Sequence, residues 1–195
     1  PWLTDKVMRV PVITSYRRRI VPEAYGEVLE MGIGSGHNLR FYAPGVRVLH
    51  GIDPSWPLLS RAMRRGSTTR LQIDLRQAEA EGLPFRDRSM DCVVSTFTLC
   101  SVASPMRALA EVHRVLRPGG RLLFAEHGLA AEPKVQARQR RLRSIWQSIA
   151  GGCTLDRPIA ALVKDAGLHL THIEEGYASG PRVVSYMYVG SATKR

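Results

Sequence analysis

The sequence predicts an α/β fold in which helices flank a mostly parallel sheet of seven strands that ends in an antiparallel hairpin. Two observations support this prediction. Short apolar segments alternate with longer amphipathic ones along the chain, and the last two apolar segments are separated only by a short turn. At 195 residues the chain can bury a sizeable core without disulfides or metals, so we interpret residues 1–195 as a single domain.

Seven segments are predicted as strands because they are rich in apolar β-forming residues and bounded by Gly, Pro or polar turns. In chain order they are 26–32, 47–53, 70–76, 91–97, 121–127, 169–177 and 182–190. The last two flank the turn sequence "ASGP", which predicts the closing hairpin.

Three helices are predicted from apolar residues at helical spacing. The first covers roughly residues 55–65, and the second covers 104–116, where the sequence "RPGG" ends it. The third, 134–149, has an apolar stripe with most of its basic residues off the stripe, as in a basic amphipathic helix. The stripe consists of Val135, Leu142, Ile145, Trp146 and Ile149.

The composition is strongly basic. Lys and Arg number 28 against 17 Asp and Glu, which gives a formal net charge of +11 and predicts a surface that attracts anions. No stretch approaches the roughly 18 uncharged apolar residues of a membrane span, so we expect a soluble chain. The three cysteines are odd in number and lack a C-x-x-C pairing, which favours a reducing compartment, the cytoplasm. The chain begins at Pro1 rather than Met, so removal of an N-terminal segment stays an open alternative.

Three glycines follow the first predicted strand in the sequence "VLEMGIGSGHNLRFY". Gly32, Gly34 and Gly36 lie where the strand is expected to turn into a helix, and their missing side chains let a ligand approach the backbone closely. A nucleotide-like ligand is the natural candidate. The spacing departs from the G-x-G-x-x-G dinucleotide fingerprint, and no lysine follows as in a P-loop.

Two carboxylates accompany this glycine loop. Glu30 lies inside the apolar run, where an ionised carboxylate is costly unless it receives donors or lies near a cation, so an amine-bearing ligand would satisfy it. Asp53 ends the second predicted strand, where a strand tip can meet ribose hydroxyls. Taken alone, each carboxylate could be a helix cap or a surface charge, and for Asp53 alone that interpretation is favoured. Their occurrence after adjacent strands favours a nucleoside-type site.

Four motifs, in order along the chain, resemble those of class I S-adenosylmethionine-dependent methyltransferases with a methyltransferase type 11 domain. They are "VLEMGIGSG", "GIDPS", "AEAEGLPFRDRSMDCVVS" and "ALAEVHRVLRPGGRLLFAEH". The resemblance implies a Rossmann-like fold, with S-adenosylmethionine as cofactor and S-adenosylhomocysteine as product. It also implies cofactor contacts: the methionine part for Glu30, Gly32, Gly34 and Gly36, the ribose for Asp53, the adenine edge for Ala80 and Glu81, and a further contact for Thr96.

Three shorter segments are similar to those of a narrower group. The sequences "TLCSV", "FAEHG" and "GGCTLDRP" resemble a small bacterial branch related to membrane-linked thiol methyltransferases of animals, and more distantly to quinone C-methyltransferases. We therefore expect methyl transfer to a small or lipophilic acceptor, with a thiol slightly preferred. No metal-ligand spacing appears in the sequence.

Acceptor-facing residues are expected beyond the carboxyl ends of the fourth and fifth strands, at 96–101 and 126–128. His127 could accept a proton near neutral pH, and a structural hydrogen bond at the strand end is the equal alternative. Cys100 is interpreted as a packed residue rather than a nucleophile.

The basic helix 134–149 allows three interpretations. It could cover the acceptor pocket with Trp146 facing inward, or it could lie on an anionic membrane as a peripheral contact. An ordinary solvated helix with a buried stripe is favoured over membrane contact.

Two other functions stay open. A nucleic-acid methyltransferase is suggested by the net charge and by the cluster "YRRR" at 16–19. The sequence "STFTLC" after the fourth strand lacks the Asn/Asp-Pro-Pro-aromatic run of enzymes that methylate base amines, which makes nucleic acid the weaker partner. The second alternative is a protein that binds the cofactor without catalysis, because binding and transition-state stabilisation are separate requirements.

Overall fold

Seven strands form one sheet in the part of the chain that the computed structural model describes, residues 8–195. They are β1 (Gly26–Met31), β2 (Val46–Asp53), β3 (Gln72–Gln77), β4 (Met90–Thr96), β5 (Leu116–His127), β6 (His169–Tyr177) and β7 (Tyr186–Thr193). Their order is β3-β2-β1-β4-β5-β7-β6. The strands β1 to β5 are parallel, and β7 is antiparallel to both of its neighbours. The predicted fold class and the closing hairpin are therefore confirmed.

Five α-helices flank this sheet in the described residues. They are α1 (Pro11–Ile20), α2 (Trp56–Gly66), α3 (Pro105–Val115), α4 (Pro133–Ile149) and α5 (Ile159–Asp165). Helices α2, α3 and α4 were predicted, with ends that agree to within one residue. The sequence analysis missed α5 and α1. In α1 the arginine run drew attention as a charge cluster, although it occupies the last turn of a helix, where positive charge is favourable.

Three local predictions were wrong. The strand predicted at 182–190 is shifted to Tyr186–Thr193, because Pro181 fixes the backbone ahead of a 3₁₀ turn at Arg182–Val184. The strand β5 starts at Leu116 rather than at residue 121, since Leu116 already pairs with Met90 of β4, ahead of a register shift that contains the "RPGG" segment. The glycine loop after β1 leads into turns and a short 3₁₀ helix, Leu39–Phe41, rather than into an α-helix.

The central strand β1 is covered on both faces. Val28 belongs to one hydrophobic core cluster and Leu29 to the other, and both are fully buried. A strand that is buried on both faces has a continuous run of apolar residues. This explains why β1 does not show the alternation of apolar and polar residues that a half-buried strand has. The same burial carries Glu30 into the interior, where only 2% of its surface is exposed.

The strand order determines where a ligand can bind. Connections from β1 run to one side of the sheet through β2 and β3, and β4 lies on the other side of β1. The order therefore reverses between β1 and β4. In open α/β sheets the crevice at such a reversal, beyond the carboxyl ends of the strands, is the usual ligand site.

Replacement of Gly36 by alanine should destabilise the fold. Gly36 has a φ of +80°, and a Cβ there would lie 2.8 Å from Leu39 Cδ1 and 3.1 Å from Ala62 Cα in helix α2. We expect Gly36→Ala to lower the free energy of unfolding by roughly 1–3 kcal/mol, measured by urea titration. Gly82→Ala is the matched control, since a Cβ at Gly82 meets nothing within 4 Å. Equal stability of the two variants would contradict this account of Gly36.

Candidate active site

A cavity of about 450 Å³ opens at the carboxyl edge of the sheet. Its size falls within the roughly 300–1,000 Å³ typical of small-molecule sites. Its wall comes from the glycine loop, the ends of β2 and β4, the segments at 78–80 and 100–103, and the loop that follows α4 at 150–153. The cavity thus spans the β1/β4 reversal and reaches to the loop after α4.

Asp53 connects the glycine loop to the end of β2. Its Oδ2 accepts a hydrogen bond from the backbone N–H of Gly34 at 3.0 Å, and its Oδ1 accepts one from Ser55 N–H at 2.9 Å. Both Asp53 and Gly34 line the cavity. Burial raises the pKa of Asp53, and these two backbone donors partly offset the effect. The structure therefore brings Asp53 and the glycine loop together at one end of the cavity.

Glu30 lies at the inner wall of the cavity and is satisfied by neutral donors. Asn38 Nδ2 donates to Oε1 at 2.9 Å, and the Tyr42 hydroxyl donates to Oε2 at 2.7 Å. Burial raises the pKa of Glu30 to about 7, although these hydrogen bonds and the nearby charge of Arg17 act in the opposite direction. The carboxyl group is therefore close to its titration point at neutral pH.

Two buried polar groups near Glu30 have atoms without a hydrogen-bond partner. Asn38 Nδ2 also donates to Thr96 Oγ1 at 3.0 Å, which leaves the Asn38 Oδ1 acceptor unpaired. Arg17 is 4% exposed, and its Nε is unpaired although one terminal nitrogen donates to Met8 O at 2.6 Å. Burial lowers the pKa of Arg17 to about 10, so the guanidinium remains charged. Asn38, Thr96 and Arg17 line the cavity.

Arg17 was missed as a site residue because the "YRRR" cluster suggested an exposed surface. The structure separates the members of that cluster. Arg17 lies in the cavity wall, with its guanidinium carbon 5.6 Å from the centre of the Phe97 ring, and Arg19 pairs with Glu174. A helical period of 3.6 residues over 11–20 was the signal that could have distinguished the inward arginine from its neighbours.

The predicted adenine-edge residues lie in different environments. Ala80 lines the cavity together with Ala78 and Glu79. Glu81 lies outside the lining, and its carboxylate accepts the backbone N–H of Ser104 at 2.8 Å, just ahead of α3. Gly36 is also outside the lining, because it packs against α2. Of the other predicted cofactor residues, Gly32, Gly34, Asp53, Glu30 and Thr96 line the cavity.

The segment after β4 forms the opposite wall, as predicted for 96–101. It is organised by Glu126, which is fully buried at the end of β5. The Glu126 carboxylate accepts hydrogen bonds from the Ser95 hydroxyl at 2.7 Å and from the backbone N–H groups of Thr98 at 3.0 Å and Cys100 at 3.2 Å. Burial raises the pKa of Glu126 against these donors. The residues 126–128 therefore lie behind the cavity wall rather than in it, contrary to the prediction.

His127 also lies behind this wall, 5% exposed. Its Nδ1 is 3.5 Å from the Sγ of Cys153, and its Nε2 is buried without a partner. Cys153 itself lines the cavity. His127 can therefore reach the cavity only through this thiol. Sequence reasoning missed Cys153, although it lies in the quoted segment "GGCTLDRP", because no local spacing relates it to His127.

The loop that carries Cys153 is fixed to the segment after β4. The backbone N–H and the hydroxyl of Thr154 both donate to the carbonyl of Cys100, at 2.8 and 2.9 Å. The Arg157 guanidinium donates to the carbonyl oxygens of Leu99 and Val102. These contacts hold Cys153 beside Cys100 at one end of the cavity.

The helix α4 is attached to the fold through the amide of Gln139 and through Val135, the first residue of its apolar stripe. Gln139 is fully buried, accepts the Ala130 N–H at 3.0 Å and donates to the Gly128 carbonyl at 3.1 Å. The expected burial of the stripe is wrong for Leu142, Ile145 and Ile149, which are 41%, 64% and 67% exposed. Trp146 Nε1 is buried, but Trp146 is not among the residues that line the cavity.

The fold and the site together define a class. A sheet with this order, an antiparallel seventh strand, a glycine loop after β1 and a carboxylate after β2 form the Rossmann-like fold of S-adenosylmethionine-dependent methyltransferases. N-methyltransferase NodS from Bradyrhizobium japonicum WM9, solved in complex with S-adenosyl-l-homocysteine, superposes with a TM-score of 0.74 at 15% identity, covering 97% of this chain and 90% of that one.

Sequence comparison identifies the family. Residues 29–124 match the family model described as "Methyltransferase domain". Thiol S-methyltransferase TMT1B of Rattus norvegicus is 39% identical over 137 residues, which cover 67% of this chain and 54% of that protein. Demethylmenaquinone methyltransferase of Renibacterium salmoninarum is 38% identical over 114 residues, 56% of this chain and 46% of that protein. The chain belongs to the class I S-adenosylmethionine-dependent methyltransferases, and it spans about half the length of these curated relatives.

Two further properties concern the described residues 8–195. None of their helices has both the length and the apolar character that crossing a bilayer requires. No group of three or more His, Cys, Asp or Glu side chains in this range is arranged to hold a metal ion.

Proposed function

We propose that this chain transfers a methyl group from S-adenosylmethionine to a small thiol, giving S-adenosylhomocysteine and a methyl thioether. One observation carries the proposal: a single cavity joins the glycine loop and Asp53 at one end to a wall of Cys100, Ser101 and Cys153 at the other. The similarity to animal thiol S-methyltransferases supports a thiol as the acceptor. The demethylmenaquinone enzymes make a quinone carbon the next candidate.

The unpaired atoms fit the amino acid part of this cofactor. Its ammonium group can donate to Asn38 Oδ1 and lies within the field of the Glu30 carboxylate. Its carboxylate can accept from the guanidinium of Arg17, which has an unpaired nitrogen in the same wall. A zwitterionic ligand would therefore give hydrogen-bond partners to buried groups that lack them. This favours binding, because an unpaired buried polar group is costly.

The nucleoside part fits the other predicted residues. Asp53 retains acceptor capacity beyond its two backbone donors, since a carboxylate offers about four lone-pair sites for hydroxyl groups. Ala80 and Ala78 offer a flat apolar wall for the adenine ring. Glu79 replaces Glu81 in our assignment of the polar edge, because Glu79 lines the cavity and Glu81 is bound to Ser104.

Methyl transfer needs a nucleophile placed in line with the methyl group and shielded from water. When bound, the cofactor supplies an activated methyl group on a sulfonium. The chain's own residues orient the acceptor and remove its proton, which a thiol must lose to become a strong nucleophile. Cys153 faces the cavity and His127 Nδ1 lies directly behind it. This pair offers a route by which the acceptor's proton can leave the cavity, so His127 acts through Cys153 as a positioning residue.

The two alternative functions have less support. An inward Arg17 and a paired Arg19 leave less of the "YRRR" cluster for phosphate contacts. A binder without catalysis has no observation in its favour at the acceptor end. We keep the cytoplasm as the proposed compartment and a single domain as the proposed organisation, on the sequence arguments given above.

The proposal is tested by incubating the purified chain with S-adenosylmethionine and separate thiols, sulfide, quinols, aminolipids and RNA. Mass spectrometry would score S-adenosylhomocysteine together with each methylated product. We expect a methyl thioether from a small thiol. A product from a quinol or RNA alone would replace the acceptor class, and cofactor binding without any product would favour the non-catalytic alternative.

His127→Ala should lower turnover without changing cofactor affinity. We expect kcat with the thiol acceptor to fall on the order of 10²-fold, the lower end of general acid–base effects, and the pH profile of kcat to change shape. Isothermal calorimetry should give an unchanged dissociation constant for S-adenosylmethionine. His172→Ala is the matched control, because His172 is exposed and bonded only to Glu174. Full activity of His127→Ala would reduce His127 to a structural residue.

Cofactor affinity should fall as the pH drops through about 7. The pKa of Glu30 is raised to about 7, and a cationic ligand favours its ionised form, so protonation below that pH opposes binding. Calorimetry between about pH 6 and 8 should show weaker binding at low pH, by up to about tenfold per pH unit, and proton release on binding near pH 7. Glu30→Gln should remove the part of the pH dependence that Glu30 causes, so that only the titration of the ligand itself remains. Glu23→Gln, at an exposed surface carboxylate, should behave as wild type. An identical pH profile in Glu30→Gln would contradict the assignment.

We also propose peripheral contact between α4 and an anionic lipid surface. The exposed side chains of Leu142, Ile145 and Ile149 form an apolar patch on a helix that is otherwise strongly basic. Its basic residues are Lys134, Arg138, Arg140, Arg141 and Arg143. Exposed apolar residues beside basic ones are typical of helices that lie in a membrane interface.

The chain should sediment with vesicles containing phosphatidylserine and much less with neutral vesicles, and salt should weaken the binding. Replacement of Leu142, Ile145 and Ile149 by serine should remove it. Met63→Ser, at an exposed apolar residue on α2, is the control. Equal binding of the triple variant and the control would exclude α4 as the contact.

A further inference from the structure

Two thiols meet at the acceptor end of the cavity. Cys153 lines the cavity and is partly exposed, whereas Cys100 is 2% exposed and lies directly beside it. The bonds from Thr154 to the carbonyl of Cys100 hold the residue next to Cys153 against the Cys100 backbone, and the two thiols are in side-chain contact. The third cysteine, Cys92, is fully buried in β4 and outside the cavity lining.

The surroundings give the two thiols different character. The Cys100 thiol lowers the pKa of Cys153, and His127 lowers it further against the effect of burial. The pKa of Cys100 is raised by Cys153 and by burial. A reachable thiol that ionises readily, next to a buried thiol that does not, is the arrangement of a nucleophilic cysteine with a resolving partner.

We propose that Cys153 and Cys100 are a redox-active dithiol that exchanges with small organic disulfides entering the cavity. This reaction is separate from methyl transfer and requires no cofactor. The cavity supplies access for the disulfide, and the contacts of Thr154 and Arg157 hold the two cysteines within reach of one another.

The exchange proceeds in two balanced steps. Cys153 gives its proton to His127 Nδ1, and its thiolate attacks one sulfur of the disulfide. The disulfide bond breaks, a bond forms between Cys153 and that sulfur, and the first thiol leaves as a thiolate that takes up a proton from solvent, while His127 releases its proton to solvent. Cys100 then attacks Cys153 Sγ, so the Cys100–Cys153 bond forms and the second thiol leaves with the proton of Cys100. Two electrons pass from the cysteines to the disulfide, and a small dithiol reductant restores the starting state.

The pair also bears on the acceptor end of the methyl transfer site. Each exchange releases two small thiols, one of them from the sulfur bound to Cys153 in the cavity wall. Formation of the Cys100–Cys153 bond would remove the thiol that connects the cavity to His127. Methyl transfer and disulfide exchange would therefore compete for the same sulfur atom, Cys153 Sγ.

The test uses the full chain, reduced and freed of reductant, without S-adenosylmethionine. It is mixed with 2-hydroxyethyl disulfide and followed by intact-mass spectrometry. The wild type should lose two hydrogen atoms in mass and release two thiols per chain. Cys100→Ser should stop at a mixed disulfide on Cys153, Cys153→Ser should not react, and Cys92→Ala should behave as wild type. Thermal unfolding would establish that each variant is folded.

Two outcomes would overturn the proposal. One is a wild-type chain that stops at the mixed disulfide, because Cys100 would then not resolve it. The other is a Cys153→Ser variant that reacts as fast as the wild type.

A second measurement addresses the nucleophile alone. Iodoacetamide should alkylate Cys153 at pH values where an ordinary thiol, with a pKa of about 8.5, is protonated, and His127→Ala should slow that alkylation. A pH profile equal to that of a free thiol would also overturn the proposal. Since none of these readouts involves methylation, failure of the proposed methyl transfer would leave them unaffected.

Discussion

The architecture of the site depends on the burial of a carboxylate at the ends of three strands. Glu30 in β1, Asp53 in β2 and Glu126 in β5 are each at least nine-tenths buried, and burial raises the pKa of all three. A buried carboxylate is costly unless donors surround it. Each of the three accepts hydrogen bonds from a loop beyond the carboxyl edge of the sheet. These hydrogen bonds hold the loops that form the cavity in place.

The three carboxylates accept hydrogen bonds from different kinds of donor, and they differ in whether they contact the cavity. Glu126 accepts from two backbone N–H groups and one hydroxyl, and it shapes a turn without touching the cavity. Asp53 accepts from two backbone groups and remains open to the cavity. Glu30 relies on the side chains of Asn38 and Tyr42, which leaves it the most sensitive to a charged ligand. The same chemical group thus lies once behind the cavity wall and twice in it.

The cavity joins two kinds of chemistry. Its inner end presents ionised and hydrogen-bonding groups around the glycine loop, and its outer end presents Cys100, Ser101 and Cys153. The outer end depends on a loop that follows α4, and that loop is fixed to the β4 segment through Thr154 and Arg157. A helix attached by Gln139 and carrying an exposed apolar patch therefore lies immediately before the residues that complete the acceptor wall.

The sequence by itself determined the elements with strong local signals. Apolar strands buried on both faces, helices with a clear period, and a glycine loop flanked by Glu30 and Asp53 predicted the fold class and the end of the cavity proposed for the cofactor. Local sequence patterns failed to predict the backbone path at two places, ahead of the last strand and after β1. Pro181 and the 3₁₀ turn after it displaced the predicted last strand, and three positive-φ glycines replaced the expected helix after β1.

Only the tertiary structure decided the acceptor end. Cys153 lies 26 residues from His127 and 53 from Cys100 along the chain, and no periodicity relates positions so far apart. Their meeting depends on the loop that follows α4, which Thr154 fixes to the carbonyl of Cys100. Arg17 lies in the cavity wall, and Leu142, Ile145 and Ile149 of the apolar stripe of α4 are exposed, for the same reason. The face that a helix buries is decided by what packs against it, and that partner is not encoded within the helix.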